Sequence, residues 1–189
     1  ELFTEDILCN GDSDGAAGVE VVGSNGNVLI TWSNGMSGSS IEELPAGTYS
    51  VQVTDTNDCT YTEEFVIEEP EAIVIDIVNA ITPNCPGDST GMIEVSATGG
   101  TGTLSYLWSN GVTTTSITDL ENGDYTISVS DTNGCFVEQS FTLDDPLEIG
   151  AVATENMPSC FDSSDGSIAI TATGGSGNYT YCWSDLPAT

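Results

Sequence analysis

The sequence predicts an all-β protein made of tandem β-sandwich repeats of about 75 residues. Three observations carry that expectation. A set of Cys, Trp and Pro positions recurs at a fixed interval, several runs alternate strictly between apolar and polar side chains, and strong turn residues separate those runs.

The interval comes first. Cys9, Trp32, Cys59 and Pro70 recur as Cys85, Trp108, Cys135 and Pro146, each 76 residues on, and Cys85 and Trp108 recur again 75 residues on as Cys160 and Trp183. Aligned without gaps, 9–70 and 85–146 share 24 identities in 62 positions, mostly Gly, Trp, Tyr, Cys, Pro and apolar residues, which set turns and cores. The one-residue change of period falls between Pro146 and Cys160, in a connecting segment. The expected domains are therefore 1–70, with a truncated leading strand; 71–146; and 147–189, truncated at its C-terminal side.

Alternation locates the strands. Tyr-Ser-Val-Gln-Val-Thr at 49–54 and Tyr-Thr-Ile-Ser-Val-Ser at 125–130 put Tyr, Val or Ile, and Val on one face and small polar residues on the other; 92–98 and 168–173 alternate similarly. No apolar period of 3.6 residues lasts long enough for a helix. Strands are expected near 15–22, 28–33, 38–42, 48–54 and 59–67, with a leading strand near 72–78 in the second repeat. Asn34-Gly35, Asn110-Gly111 and Asn133-Gly134 are hairpin signals, and Gly99-Gly100 and Gly174-Gly175 read as flexible corners. Six or seven short strands per repeat make an Ig-like or prealbumin-like two-sheet sandwich. Trp32, Trp108 and Trp183 are expected to fill the space between sheets, with sugar stacking by an exposed ring as the sharper alternative. Tyr49 and Tyr125, in Leu-x-x-Gly-x-Tyr, suggest a corner where the phenol bonds backbone.

Charge excludes most functions. The 189 residues carry 30 Asp and Glu and no Lys, Arg or His, a formal charge of −30, while 38% hydrophobic content is enough for a core. Phosphate clamping, nucleic-acid binding and attraction to anionic lipid need cations that are absent. So do a Ser or Cys triad, a Schiff-base Lys and imidazole metal ligation. We expect no catalytic residues, no bound organic cofactor, no nucleic-acid partner and no direct membrane insertion. Asp131-Thr-Asn-Gly134 superficially matches an aspartic-protease Asp-Thr-Gly but reads better as a turn that recurs at 55–58. A glycosidase carboxylate pair has no cleft-forming insertion to sit in. Nothing resembles a signal peptide or membrane span; the longest apolar stretch, near 72–78, is interrupted by Asp76. Glu1 is not a natural start, and a piece of a longer chain is expected.

Six cysteines without His or Cys-x-x-Cys do not make a zinc site. Cys9 and Cys59 are 50 residues apart, as are Cys85 and Cys135. With four strands between them, each reversing direction, both members of a pair end at the same pole, so bonds Cys9–Cys59 and Cys85–Cys135 are expected. A seven-strand immunoglobulin order would place five strands between them and bridge neighbouring repeats instead. Either framework implies an oxidising compartment. Cys160 would pair beyond Thr189, and Cys182, at the position of Thr31 and Leu107, falls outside the framework. The same parity gathers Asp12, Asp14, Asp55 and Asp58 at one pole as candidate Ca²⁺ ligands. The second repeat keeps only Asp88 and Asp131, with Thr90 and Gly134 at the other two positions, which favours plain Asp turns. Glu68-Glu69-Pro70 and Asp144-Asp145-Pro146 are rival candidates for an ion at a junction.

In order along each repeat stand Cys-x-Gly-Asp-Ser-x-Gly, Trp-Ser-Asn-Gly, Ser-Ile-x-x-Leu-x-x-Gly-x-Tyr-x-x-x-Val, Asp-Thr-Asn-x-Cys and a closing Pro. The third copy keeps Cys160, Asp165-Gly166-Ser-Ile and Tyr179-Thr-Tyr-Cys-Trp183-Ser. This string resembles the SprB-type repeat of giant surface adhesins in gliding bacteria, over nearly the whole chain. The resemblance implies a very long, type IX-secreted, outer-surface protein that is propelled along the cell and sticks to the substratum. It implies an external surface, polysaccharide or glycan as partner, and the outer-membrane secretion or motility machinery. Asp88-Ser89-Thr90 resembles the short O-glycosylation sequon of such bacteria, making Ser89 a candidate, with a plain turn as the alternative. Other readings from the residues are a calcium-dependent carbohydrate-binding module and a non-catalytic spacer of a large secreted surface enzyme.

Overall fold

The computed structural model describes residues 1–23, 27–175 and 177–184, and these form fourteen strands and no helix. In the first repeat β1 (Leu2–Glu5), β2 (Gly15–Val19) and β4 (Ser40–Leu44) form an antiparallel sheet in the order β1-β2-β4. The strands β3 (Leu29–Trp32), β5 (Gly47–Thr54) and β6 (Thr60–Ile67) form a second, in the order β3-β5-β6. Ala17, Ile41 and Leu44 from the first sheet pack with Trp32, Val51, Phe65 and Ile67 from the second in one buried cluster. That is a two-sheet sandwich. Burying each of the larger side chains stabilises it by about 1.5–3 kcal/mol.

Trp32 is the central filler. It is 3% exposed, its ring meets Phe65 edge-on at 5.8 Å, and Phe65 in turn stacks on Tyr49 at 5.8 Å. The indole Nε1 donates to the Gly38 carbonyl at 2.9 Å, so the one polar atom of the ring is satisfied inside the core. The Tyr49 hydroxyl donates to the Pro45 carbonyl at 2.8 Å, the corner expected where the chain passes from β4 to β5; Tyr125 does the same to Glu121 at 3.1 Å.

One element is missing from the strand count read off the sequence. After the Asn34-Gly35 turn, where Gly35 has φ +86°, Trp32 N donates to Met36 O and Gly38 N to Ile30 O, and Thr31 forms an antiparallel bridge with Ser37. Residues 36–38 therefore run back along β3 before β4 begins. The strand expected near 38–42 is β4, and residues 36–38 add a return pass ahead of it. The first repeat thus makes seven passes, in the immunoglobulin manner.

The second repeat reproduces this order. Its strands β7 (Val74–Ile81), β8 (Gly91–Thr98), β9 (Ser105–Trp108), β10 (Ser116–Leu120), β11 (Gly123–Ser130) and β12 (Phe136–Leu143) form sheets β10-β8-β7 and β12-β11-β9. Ile93, Trp108, Ile117, Leu120, Ile127, Phe141 and Leu143 are buried at the positions 76 residues after Ala17, Trp32, Ile41, Leu44, Val51, Phe65 and Ile67. In the third repeat β13 (Gly150–Asn156) pairs with β14 (Ser167–Thr173), and Trp183 is 53% exposed. By compactness the chain divides into two units. One comprises Glu1–Asp76, Ser96–Thr113 and Ile127–Gln139 and contains the whole first sandwich; the other comprises Ile77–Val95, Thr114–Thr126 and Ser140–Thr189 and contains β10, β13 and β14.

The Gly99-Gly100 corner, expected to be flexible, is packed. Both residues have positive φ, +84° and +66°, and Gly100 N donates to Glu71 O at 2.8 Å. A Cβ on Gly99 would collide with the Ala72 carbonyl, so no other residue fits. Gly174 meets the Glu148 carbonyl in the same way.

In urea unfolding, Trp32→Ala should cost about 3–5 kcal/mol by emptying the intersheet space. Tyr49→Phe should cost about 1 kcal/mol, the net worth of one hydrogen bond. An unchanged midpoint for Trp32→Ala would contradict this packing.

Candidate functional site: the cysteine-bearing turns

Each repeat opens on a turn that presents its first cysteine. Asp12 N donates to Cys9 O at 3.1 Å, Asp88 N to Cys85 O at 3.0 Å, and Ser163 N to Cys160 O at 3.1 Å. The second residue after each cysteine is left-handed: Gly11 at φ +82°, Gly87 at +77° and Asp162 at +65°. The fifth residue closes the turn onto the amide before the cysteine. Asp14 Oδ1 accepts from Leu8 N at 3.3 Å, Thr90 Oγ1 from Asn84 N at 2.8 Å and Asp165 Oδ1 from Ser159 N at 3.0 Å. The change from Asp14 to Thr90 is thus explained: the position needs a short side-chain oxygen for a backbone N–H, and a hydroxyl supplies one. At Asp165 the hydrogen bonds from Ser159 and then Ser163 hold the carboxyl well below its usual range.

The second cysteine follows an aspartate turn. Asp55 Oδ1 accepts from Asn57 N at 2.8 Å and Cys59 N at 2.9 Å, while Asp55 N donates back to Cys59 O at 3.0 Å. Asp131 does the same with Asn133 N at 2.9 Å, Cys135 N at 3.0 Å and Cys135 O at 3.0 Å, and its Oδ2 also accepts from Thr101 N at 2.8 Å. These amides lower both carboxyls, the Cys59 and Asn57 amides acting on Asp55 and the Thr101 amide leading at Asp131. Gly134, at φ +88°, and its counterpart Asp58, at +62°, occupy the left-handed position, which Asp tolerates. Asp131 and Asp55 are therefore turn builders.

The structure bonds Cys9 to Cys135, with an S–S distance of 2.04 Å and Cα atoms 5.5 Å apart. This corrects the expected pairs Cys9–Cys59 and Cys85–Cys135 and selects the bridge between neighbouring repeats. The physical reason is the return pass at 36–38. It makes five passes between Cys9 and Cys59, so they lie at opposite poles of the first sandwich. Ile7 N donates to Glu68 O, Asn10 Nδ2 to Pro70 O and Gly11 N to Glu69 Oε2, which places Cys9 beside the end of β6. Cys59 precedes its start. The eight residues of β6 span roughly 27 Å, far beyond the reach of a disulfide. Asn133 Nδ2 donates to Leu8 O at 3.2 Å beside the bond, and Cys9, Asn10, Asp12, Pro70, Asp131 and Cys135 line a cleft of about 320 Å³. A bridge over 126 residues is worth about 5 kcal/mol in the chain-entropy model.

The same reversal separates the candidate calcium ligands. Asp12 and Asp14 lie at the Cys9 pole, Asp55 and Asp58 at the other, and all four belong to the turns just described. Their expected gathering is corrected. Among the described residues no group of three or more Cys, Asp or Glu is placed to hold a metal ion. The Glu69 carboxylate accepts from Gly11 N, and the Asp6 carboxylate accepts from Glu68 N, so Glu69 and Asp6 tie backbone amides beside Pro70. Ser89 is exposed, with its hydroxyl 3.3 Å from Glu121 Oε1. Cys59, Cys85, Cys160 and Cys182 are exposed and unbonded. Trp32 and Trp108 are buried and offer no sugar platform. The return pass was the missed element; Trp32-Ser-Asn-Gly35, a hairpin signal directly after β3, was its trace in the sequence.

Because Asp131 is depressed below its ordinary value of 3.8, its contribution is full above that pH and is lost as pH falls through the folded value. Asp131→Asn should therefore lower Tm at pH 7, with the gap to the wild type closing below that value. A gap that stays constant from pH 7 to pH 2 would contradict this role.

A family model described as the SprB repeat matches the chain three times, over residues 2–37, 79–113 and 153–188. No curated protein matches the chain. Among solved structures, it is similar to the C-terminal 282-residue fragment of intimin in complex with the intimin-binding domain of the translocated intimin receptor. That likeness has 14% identity and a TM-score of 0.40, covering 82% of this chain and 66% of the fragment, just under two thirds of its length. It is also similar to Dpr2 Ig1-Ig2 in complex with DIP-Theta Ig1-Ig3, at 13% identity and a TM-score of 0.28 over 82% of this chain and 74% of that one. The all-β fold stands on the strand order above rather than on these likenesses. Since the three matched stretches cover more than half of its residues, the chain belongs to the SprB repeat family.

Proposed function

We propose that this chain is a segment of a long extracellular repeat adhesin that mediates surface attachment and gliding motility, its repeats forming a covalently linked acidic stalk. The observation that carries the reading is the Cys9–Cys135 bond, 126 residues apart in sequence, in a chain that matches the SprB repeat three times. A bond of this kind serves a chain that must bear load outside the cell, where thiols oxidise.

Repeats 1–70, 71–146 and 147–189 are the modules of this stalk. SprB repeats support a secreted cell-surface protein; on this reading it is attached at the outer membrane and exported by type IX secretion. Among the described residues no helix is long and apolar enough to cross a membrane. The formal charge of −30 favours an extended chain that resists lateral clumping at low salt. Many weak contacts to an external polysaccharide or glycan would gain avidity from being carried on one chain. The segment's own role is non-catalytic, since it lacks Lys, Arg and His and its most ordered carboxylates are committed to turns.

Fab fragments raised against 1–146 should label intact, unpermeabilised cells. They should also reduce attachment to glass by roughly tenfold or more, as expected when multivalent contacts are blocked. Label seen only after permeabilisation, or normal attachment and gliding by cells lacking the protein, would overturn the reading.

A further inference from the structure

The Cys9–Cys135 bond leaves two sulfurs in matching settings. Cys59 sits in the same turn as Cys135: Asp55 receives the Asn57 and Cys59 amides as Asp131 receives those of Asn133 and Cys135, and each aspartate N–H returns to its cysteine carbonyl. Asn57 is exposed beside Cys59, the position from which Asn133 reaches Leu8 O beside the closed bond. Cys85 sits in the same turn as Cys9, with the third-residue amide on its carbonyl and a left-handed glycine between. Both sulfurs are exposed. One example of each turn is already joined to one example of the other.

We propose that the Cys9–Cys135 bond is one rung of a ladder in which the first cysteine of every repeat is bonded to the second cysteine of the next. Cys85 then pairs with the second cysteine of the third repeat, Cys160 with that of a fourth, and Cys59 with the first cysteine of a preceding repeat. Cys182 has no counterpart at the positions of Thr31 and Leu107 and stays a thiol. Each rung forms by thiol–disulfide exchange with a protein disulfide donor. A thiolate of one cysteine attacks the donor disulfide, the second displaces the donor sulfur, and two electrons and two protons leave with the reduced donor. The partner surface at each pole is thus a neighbouring copy of the same repeat.

Successive rungs overlap in sequence, because the loop closed by Cys9 and Cys135 contains both Cys59 and Cys85. The shortest covalent path from one rung to the next is then the 50 residues between Cys85 and Cys135, so pulling on the ends extends each repeat to roughly 18 nm at most. Without the rungs, unfolding one 76-residue repeat would release roughly 27 nm of chain.

The test uses the full-length secreted protein, alkylated under denaturing, non-reducing conditions and cut with Glu- and Asp-specific proteases, since this segment has no Lys or Arg for trypsin. Mass mapping should find the Cys85 peptide linked to the second cysteine of the third repeat, the Cys59 peptide linked to a first cysteine upstream, and Cys182 alkylated. In the Cys85→Ser protein, one new alkylated thiol should appear, in the third repeat, with Cys9–Cys135 intact. Single-molecule stretching should show 27 nm steps only after reduction. Cys59 or Cys85 alkylated in the wild type, joined to each other, or joined within its own repeat would overturn the ladder, as would identical stretching traces with and without reductant.

Discussion

The architecture of this chain turns on how many times it reverses direction between its cysteines. A β-sandwich has two poles, and each pass delivers the chain to the opposite one. Four passes would have returned Cys59 to Cys9; five send it to the far end of β6. The deciding pass is residues 36–38, held by only a few backbone contacts to β3. Its consequence is covalent: the sulfur of Cys9 meets a cysteine of the following repeat instead of its own.

A second constraint follows from the absence of cationic side chains. With no Lys, Arg or His, carboxylates have backbone and side-chain amides, hydroxyls and solvent to bond. The chain uses the amides. Asp14, Asp55, Asp131 and Asp165 each accept from amides that would otherwise be unpaired in tight turns, and the depressed carboxyls at 55, 131 and 165 are the electrostatic trace of that service. This is why Thr90 can replace an Asp. The turn asks for an oxygen of the right reach, and charge is incidental.

Together these constraints connect local chemistry to the role of a surface repeat. Turns held by their own aspartates present cysteines in a fixed geometry at the poles of a small sandwich, and the poles are where successive repeats are linked. Small domains are marginal because they bury a limited share of their surface. A bond that spans two repeats restrains the unfolded state of both, and so adds stability where the cores are least able to supply it.

Most of the fold was legible in the sequence. Alternation at 49–54, the Asn34-Gly35 turn, the Leu44 to Tyr49 corner and the buried Trp32 are local patterns with a period of two or a fixed offset, and backbone sterics translate them directly into strands and turns. The repeat interval carried the same reading to the second repeat, position by position. The return pass was not legible, because three residues paired to a neighbouring strand by a few hydrogen bonds have no periodicity of their own. The cysteine pairing and the separation of Asp12 and Asp14 from Asp55 and Asp58 depended on that pass. What the sequence determined by itself is therefore the kind of elements and the residues that build them. Only the tertiary structure decided which pole each turn occupies, because direction in a sandwich is a parity summed over the whole chain, and one short reversal inverts it.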